Sequence, residues 1–306
     1  MICVFDIETI PDFHLLADVF ELGGSPLEIT KTAQNMQKEK SGSEFLPLCF
    51  HRVISISSVI CDEFGAFKRV GHFGKNFLES LESKDALDSM DKDSKLDFLS
   101  SDFLDELEKT LLQEFWLFFN KNNPKLVSFN GRGFDIPTLA LRSMRYNLNA
   151  WALFEQNNQA FNKTKWENYR QRYSEQFHTD LFDSLGQFGA TRSLNLHSLC
   201  KMLDLVGKYD MSGSEVYETY LGGKNTKEAK LSALETINHY CHSDVLNTYW
   251  LYLKYELLKG ELLLEDYYHL LQILSEKLPQ DKPYSAIFTQ MLQKHISQAT
   301  TQKGTK

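Results

Sequence analysis

Residues 1–10 have the sequence MICVFDIETI, in which residues 1–6 form a short apolar run and two acids, Asp6 and Glu8, lie at its end. Such a run is typical of a buried β-strand, and side chains two residues apart in a strand point to the same face of the sheet. Ionised carboxylates beside a hydrophobic core are costly unless a cation or hydrogen bonds compensate for the lost hydration. We therefore predict that this strand holds two acids at one point, either for a divalent cation or at a solvent-facing strand end.

A second candidate motif, FNGRGFDIPTL, occupies residues 129–139 and joins a predicted strand to a predicted helix. Its two glycines permit a close approach of the backbone. Asp135 begins the helix, where an acid also interacts favourably with the helix dipole and needs no metal. The amide of Asn130 can orient a neighbouring acid or a phosphate, and Phe134 can stack on a base or fill the core.

The third candidate motif lies in HYCHSDVLNTYWLYLKY, residues 239–255, which has the pattern of a buried helix. Tyr240 and Asp244 are four residues apart and therefore share one face of that helix. A buried aspartate needs a partner, so the alternatives for Asp244 are a metal ion and a hydrogen bond within the core.

Together, the acids Asp6, Glu8, Asp135 and Asp244 come from separate elements and suit a centre for phosphoryl hydrolysis. Such a centre needs several carboxylates to hold two metal ions about 3.5–4 Å apart. Mg²⁺ and Mn²⁺ both accept oxygen ligands of this kind. The five cysteines are scattered and show no zinc-binding spacing, so we predict two Mg²⁺ or Mn²⁺ ions, and thiols that are buried and reduced.

The three motifs, in this order, resemble those of the DEDD superfamily of 3′→5′ exonucleases, which have an RNase H-like fold. The matching residues are DIE at 6–8, Asn130 with Phe134 and Asp135, and Tyr240 with Asp244. The resemblance is strongest to stand-alone PolB-like exonucleases and to the exonuclease domain of family B DNA polymerases, and covers about residues 1–255. It implies that the four acids hold two metal ions and that Tyr240 positions the attacking water.

His239 leaves one alternative open, because it precedes Asp244 by five residues, a spacing that is also found in the histidine subclass of the superfamily. The form of the second motif resembles the tyrosine subclass. We therefore favour Tyr240 as the residue that positions the water, and keep His239 as the alternative base; its default role is that of a surface or packing residue.

The predicted substrate is the 3′ end of single-stranded DNA, which the enzyme would hydrolyse to nucleoside 5′-monophosphates. The predicted substrate-binding residues are Thr9, Asn130, Phe134 and Arg142. Further side chains able to contact phosphates or stack on bases are Arg132, Arg145, Arg170, Arg172, Arg192, Trp166, Tyr169 and Tyr173. Asp180 and Asp183 are expected to be solvated acids at a strand end. The alternatives are an RNA exonuclease with the same centre and a non-catalytic nucleic-acid-binding scaffold, and a polymerase or repair partner is left open.

The net charge of −8 at first argues against a nucleic-acid binder. The whole excess, however, lies in residues 76–108, which contain eleven acids and three lysines. We predict an acidic linker over residues 76–100, and the rest of the chain is electrically balanced. No segment reaches the roughly 20 apolar residues that cross a bilayer, so we expect a cytoplasmic protein without a membrane partner.

The predicted elements follow the order β-β-β-α-β-α-β-α, which indicates an α/β fold with a mixed five-stranded sheet flanked by helices. We predict an exonuclease domain over residues 1–258 with an insertion at 150–176. A helical C-terminal extension with a polar tail is predicted over 259–306. Within the domain we expect a strand over 177–185, a long helix over 227–259 and a helix that Asp102 caps.

Overall fold

A computed structural model of the protein describes residues 1–83, 97–191, 193–208, 211, 213 and 215–303. Within these ranges, five strands form one sheet: β1 (Ile2–Pro11), β2 (His51–Cys61), β3 (Phe67–His72), β4 (Lys125–Ser128) and β5 (His178–Asp180). Their order is β3-β2-β1-β4-β5. The first three strands pair in antiparallel fashion, whereas β4 runs parallel to β1 and β5. The predicted α/β class with a mixed five-stranded sheet is confirmed.

Helices flank this sheet. They are α1 (Phe13–Phe20), α2 (Pro26–Ser41), α3 (Lys75–Glu82), α4 (Ser101–Asn122), α5 (Asp135–Arg145), α6 (Trp151–Phe154), α7 (Leu181–Leu185), α8 (Leu196–Met202), α9 (Val216–Leu221), α10 (Lys227–Lys259), α11 (Leu264–Lys277) and α12 (Ser285–Lys303). The long helix predicted over 227–259 is confirmed as α10. The Thr226 side chain caps its start, and Gly260 ends it with a left-handed φ of 77°.

The central strand β1 is buried on both faces, and its alternate residues belong to different cores. Cys3, Phe5 and Ile7 pack in a cluster with α4. Ile2 and Val4 pack in a second cluster with α10 and the C-terminal helices α11 and α12. Because Asp6 and Glu8 continue the even-numbered series, their side chains belong to the face that α10 covers. The C-terminal helices therefore complete the core on the side of the sheet where the acids lie.

Two local predictions are wrong for reasons of capping. The start of α4 is capped by Ser100, whose hydroxyl accepts the N–H of Phe103 at 3.2 Å, and not by Asp102. The strand predicted over 177–185 ends at Asp180, because the Asp180 carboxylate accepts the N–H of Phe182 and starts α7. An acid that can cap a helix ends a strand whose apolar pattern would otherwise continue.

The two segments predicted as linker and insertion are partly described. Of the acidic linker over 76–100, the first residues belong to α3, and residues 84–96 lie outside the described part of the chain. The insertion over 150–176 packs against α4: the ring of Tyr169 lies 4.6 Å from that of Phe119, and the Tyr169 hydroxyl donates to the Pro124 carbonyl at 2.7 Å. In the described ranges, we find no helix with the length and apolarity to cross a membrane.

Candidate active site

The end of β1 brings Asp6 and Glu8 to the sheet face that α10 covers. Across the sheet these residues pair with Ser57 and Ser55 of β2. The register of β1 and β2 then shifts between Glu8 and Thr9, and such irregularities often re-aim side chains next to functional sites. Glu8 is buried and Asp6 is half-buried. The pairing of β1 with β2 is regular up to Glu8, so it holds both acids on the same face of the sheet.

The start of α5 places Asp135 beside these two acids. The backbone N–H of Ile7 donates to Asp135 Oδ1 at 3.1 Å and so ties the helix to the strand. Asp135 is buried, and its carboxyl group is close enough to Asp6 to share a hydrogen bond. Two carboxyl groups in such contact need a proton or a cation between them.

The loop between β4 and α5 is held in place by Asp180, which lies at the end of β5. The Asp180 carboxylate accepts the backbone N–H groups of Asn130 and Arg132, each at 2.8 Å. Asn130 has a left-handed φ of 68°, and a Cβ atom at Gly133 would lie 2.5 Å from Asn130 Oδ1. A side chain at position 133 would therefore displace the Asn130 amide, which lines the cavity. The expectation of a solvated Asp180 is wrong, because this residue is buried and organises the loop.

Helix α10 contributes Tyr240, Cys241 and Asp244 to the same cluster, since residues three and four apart share a helix face. The Cys241 Sγ atom lies 3.9 Å from Asp6 Oδ2. Potential ligand atoms of Asp6, Glu8 and Cys241 all lie within 4.8 Å of one another. Tyr240 and Asp244 line the same cavity, and the Tyr240 hydroxyl partly offsets the rise that burial causes in the pKa of Asp244.

Burial raises the pKa values of all four acids, and repulsion by neighbouring acids adds to this for Asp6, Glu8 and Asp135. Burial, followed by the charges of Asp135 and Glu8, holds the pKa of Asp6 well above its usual range. Burial and the charge of Asp244 do the same for Glu8. Burial raises the pKa of Asp135 to about 7 and that of Asp244 to about 6. These shifts favour the protonated carboxyl groups in the metal-free protein, whereas a cation in the cluster would favour their ionised forms.

A cavity of about 500 Å³ opens beside the acids, and its lining includes Asp6, Asn130, Lys208, Tyr240 and Asp244. The Lys208 charge lowers the pKa of Asp244. Among the described residues, the buried Asp244 Oδ1 atom has no hydrogen-bond partner, an arrangement that is costly without a further ligand. Oxygen donors from three elements and one unsatisfied buried oxygen fit a divalent cation.

Thr9 and Phe134, two of the predicted substrate-binding residues, lie in a neighbouring aromatic group. The Thr9 hydroxyl oxygen lies 3.0 Å from His51 Nδ1. Phe134 packs edge to face against His51, with ring centroids 5.1 Å apart, and against Phe45 at 5.7 Å. Phe45 is 58% exposed, so this group presents an aromatic surface next to the end of β1. Of the four predicted substrate-binding residues, Asn130 lines the cavity itself.

Arg142 does not belong to the site, and the prediction that it binds substrate is wrong. Its guanidinium group is buried and bonds both carboxylate oxygens of Glu108, at 2.8 and 2.6 Å. It also pairs with Asp12 at 2.9 Å. These contacts use its hydrogen-bonding capacity inside the protein, so Arg142 joins α5 to α4 and to the N-cap of α1 and cannot reach a phosphate.

Two further arginines also use their guanidinium groups in contacts within the protein. Arg132 donates to the backbone carbonyls of Tyr169, Ser174 and His178. Arg145 forms an ion pair with Asp105 at 2.8 Å. Arg192 lies outside the described part of the chain. The first two therefore stabilise the loop after β4 and the end of α5.

Other side chains around residues 150–176 remain exposed. The Arg170 guanidinium carbon lies 5.3 Å from the ring centroid of Phe154, which is 53% exposed. Trp166 and Tyr173 are both more than two-thirds exposed. Arg172 pairs with Asp183 at 2.6 Å, and because Asp183 is buried, the expectation of a solvated strand-end acid is wrong there too.

Tyr240 and His239 occupy different faces of α10. Tyr240 lines the cavity with Asp6 and Asp244, whereas His239 lines a separate cavity with His72 and His242. Consecutive residues of a helix point about 100° apart, so only one of the two can face the acids. The geometry places Tyr240 there.

The fold and the site define an α/β protein of RNase H-like architecture with a buried acidic centre. A family model described as a predicted 3′-5′ exonuclease related to the exonuclease domain of PolB matches residues 43–294. The match covers more than half of the chain, and the chain belongs to this family. No curated protein gives a significant match.

The limits of the family match correct the extent of the resemblance. The match continues to residue 294, so the expectation that it ends near residue 255 is wrong. It begins after Glu8, and β1 therefore lies outside it. The contact between Ile7 and Asp135 shows that the two acids of β1 nevertheless meet the acids from the matched region.

Sequence reasoning missed Cys241, Lys208 and the role of Asp180. Cys241 precedes Asp244 by three residues, so the helical spacing that selected Tyr240 also predicts a shared face for Cys241. Lys208 lies in the loop after α8, where the sequence has no periodic pattern. Its position beside the acids therefore depends on tertiary structure alone.

Proposed function

We propose that the protein is a metal-dependent 3′→5′ exonuclease that hydrolyses single-stranded DNA from its 3′ end and releases nucleoside 5′-monophosphates. The proposal rests on the family, whose members are predicted 3′-5′ exonucleases. The observation that carries it is the cluster of Asp6, Glu8, Asp135 and Asp244, whose pKa values are raised by burial and of which Asp6 and Asp244 line one cavity. Such a cluster is suited to cations that also contact a phosphate.

Two Mg²⁺ or Mn²⁺ ions are the cofactors that these donors fit best, because hard cations prefer carboxylate oxygens and retain water ligands. In this proposal Asp6, Glu8, Asp135 and Asp244 would hold the ions. The bound ions would supply an activated water and charge neutralisation at the scissile phosphate. The nearby thiol of Cys241 stays protonated, because burial holds its pKa well above the usual range.

Tyr240 would orient the attacking water as a hydrogen-bond donor. Burial and the charge of Asp244 hold the pKa of Tyr240 well above its usual range, so the hydroxyl keeps its proton. A protonated phenol positions water and does not remove a proton from it. Lys208, which lines the same cavity, would add a positive charge beside the phosphate.

A path for the DNA strand continues from the acids toward the insertion. A second cavity, of about 480 Å³, shares Asn130 and Phe182 with the first and is also lined by Phe154 and Arg170. Aromatic faces stack on bases without sequence preference, and arginine adds a contact to phosphate or base. These features favour a single strand over a duplex.

The test is degradation of a 5′-labelled single-stranded oligonucleotide with Mg²⁺ or Mn²⁺, followed as a ladder of products that shorten from the 3′ end. We expect Asp6→Asn and Asp244→Asn each to reduce the rate to below about one-thousandth of wild type. Asp18→Asn, which changes an exposed aspartate on α1, is the matched control and should remain active. Full activity in both site variants would reject the proposed centre.

The same assay separates the alternatives. A matched RNA oligonucleotide degraded faster than the DNA would make the protein an RNA exonuclease, since carboxylates do not sense a 2′-hydroxyl group. Tight binding of the oligonucleotide without turnover in either metal would instead indicate a non-catalytic scaffold.

A further inference from the structure

A second polar cluster lies on the other side of α10 from Tyr240, beneath a cavity of about 730 Å³. It contains His72 at the end of β3 together with His239 and His242 of α10. The His72 Nδ1 and His242 Nε2 atoms are 3.2 Å apart, and the two rings are stacked with centroids 5.2 Å apart. Tyr284, from the segment before α12, places its hydroxyl 3.3 Å from His242 Nδ1.

The separation of the two imidazole nitrogens matches that of two ligands on one transition-metal ion. Zn–N bonds of about 2.0–2.1 Å in a tetrahedral arrangement put two nitrogen ligands about 3.3 Å apart. A hydrogen bond between neutral imidazoles has a similar length, so the pair alone does not distinguish a metal site from a packed core contact. The side chains around the pair favour a metal site.

The second nitrogen of His242 has the partner that a metal ligand needs. Histidine ligands usually donate their other N–H to a nearby oxygen, which fixes the ring orientation. Here the Tyr284 hydroxyl occupies that position. His242 is 4% exposed, so the surrounding side chains restrict the orientation of its ring. His72 reaches the same point from a different element and also lines the cavity.

Further ligands are available at short range. The His239 ring centroid lies 6.0 Å from that of His242, so His239 needs a side-chain rotation to bring a nitrogen to the pair. Glu235 lies 3.9 Å from His239 Nε2, and Glu79 also lines the cavity. Lys75 and Lys282 line it as well and oppose a cation, but Lys75 is already paired with Glu79 at 3.5 Å.

We propose that His72 and His242, joined by His239 and water, form a binding site for a transition-metal ion of the Zn²⁺ type, separate from the carboxylate cluster. Imidazole nitrogens suit Zn²⁺, Co²⁺ and Ni²⁺, whereas Mg²⁺ and Mn²⁺ prefer the oxygen ligands of the other site. The ion would join β3 to the segment of α10 that carries Asp244. This site does not depend on the proposed nuclease activity.

The experiment uses the full chain with Asp6→Asn and Asp244→Asn, so that the carboxylate cluster no longer binds metal. Zn²⁺ alone is titrated in a calorimeter, and Co²⁺ alone is followed by its visible absorption, which reports tetrahedral nitrogen ligation. We expect one ion per chain. His72→Ala should weaken binding by more than about 100-fold, and Tyr284→Phe by about 10- to 100-fold.

His269→Ala, at an exposed histidine of α11, is the matched control and should bind Zn²⁺ as the parent does. His72 is at the edge of the sheet and only half-buried, so its variant is the one expected to fold; circular dichroism would verify this. The proposal is overturned if the parent shows no stoichiometric Zn²⁺ binding, or if folded His72→Ala binds as tightly as the parent. Neither outcome affects the oligonucleotide assay, which tests the other site.

Discussion

Replacing Asp244 by asparagine should stabilise the metal-free protein while abolishing nuclease activity. The pKa of Asp244 rises from 3.8 to about 6 because the group is buried. Each pKa unit corresponds to about 1.4 kcal/mol, so the ionised carboxylate costs the metal-free fold about 3 kcal/mol above pH 7. Asparagine removes the charge and keeps the shape of the side chain.

The sign of the effect gives it a distinctive pH dependence. Because the folded-state pKa lies above the unfolded one, the cost is absent below about pH 4 and grows as the pH rises through about 6. Asp135, with a pKa of about 7, adds a loss that starts at the same pH and continues to about pH 7. The metal-free wild type should therefore lose stability between about pH 4 and pH 8, and the Asp244→Asn variant should lose less.

The assay is urea unfolding in EDTA at pH 5 and pH 8, followed by tryptophan fluorescence, with Asp18→Asn as the control. We expect a gain in the free energy of unfolding at pH 8 of up to about 3 kcal/mol and about half of that gain at pH 5. Mg²⁺ should then stabilise the wild type more than the variant. A variant that is less stable than wild type at pH 8, or equally shifted at both pH values, would refute the reasoning.

Three other predictions concern single side chains. Tyr240→Phe should lower kcat by about 100-fold or more while His239→Ala changes it by less than about threefold, as measured by single-turnover degradation; the reverse order would make His239 the base. Lys208→Met should weaken oligonucleotide binding and reduce the slope of log Kd against log salt by about one, as measured by fluorescence anisotropy. Arg142→Met should lower the free energy of unfolding by about 3–5 kcal/mol, because it leaves Glu108 buried without its partner; weaker DNA binding at unchanged stability would restore the substrate-binding role.

The parts of the fold that follow from local patterns could be predicted from the sequence. The apolar run at the start of β1 and the apolar run from Val245 to Leu253 in α10 identify both elements, because each buries a continuous apolar surface. The short strand β5 could not be bounded in this way. Its end is set by the Asp180 carboxylate, and an acid within an apolar segment does not reveal whether it caps a helix.

The candidate site could be predicted only in part, because sequence patterns do not report which side chains already have partners. Arg142 lies three residues after the end of the second motif, in the helix that this motif starts, and has the positive charge that binds a phosphate. Its guanidinium is nevertheless bound by Glu108 of α4, a contact between residues distant in the chain. Lys208 and Cys241 show the opposite case, since tertiary structure brings them to the acids without a motif of their own.

The two faces of α10 explain why one stretch of sequence matched two subclasses of exonuclease. Tyr240, Cys241 and Asp244 face β1, whereas His239 and His242 face the end of β3. Because neighbouring positions of a helix diverge by about 100°, the string HYCHSD encodes two separate polar groups on one element. The spacing of these residues from Asp244 does not distinguish the two polar groups. The strand that each group faces does distinguish them, because β1 carries carboxylates and β3 ends in a histidine. The nature of the facing strand therefore decides which residues of this helix belong to the acidic centre.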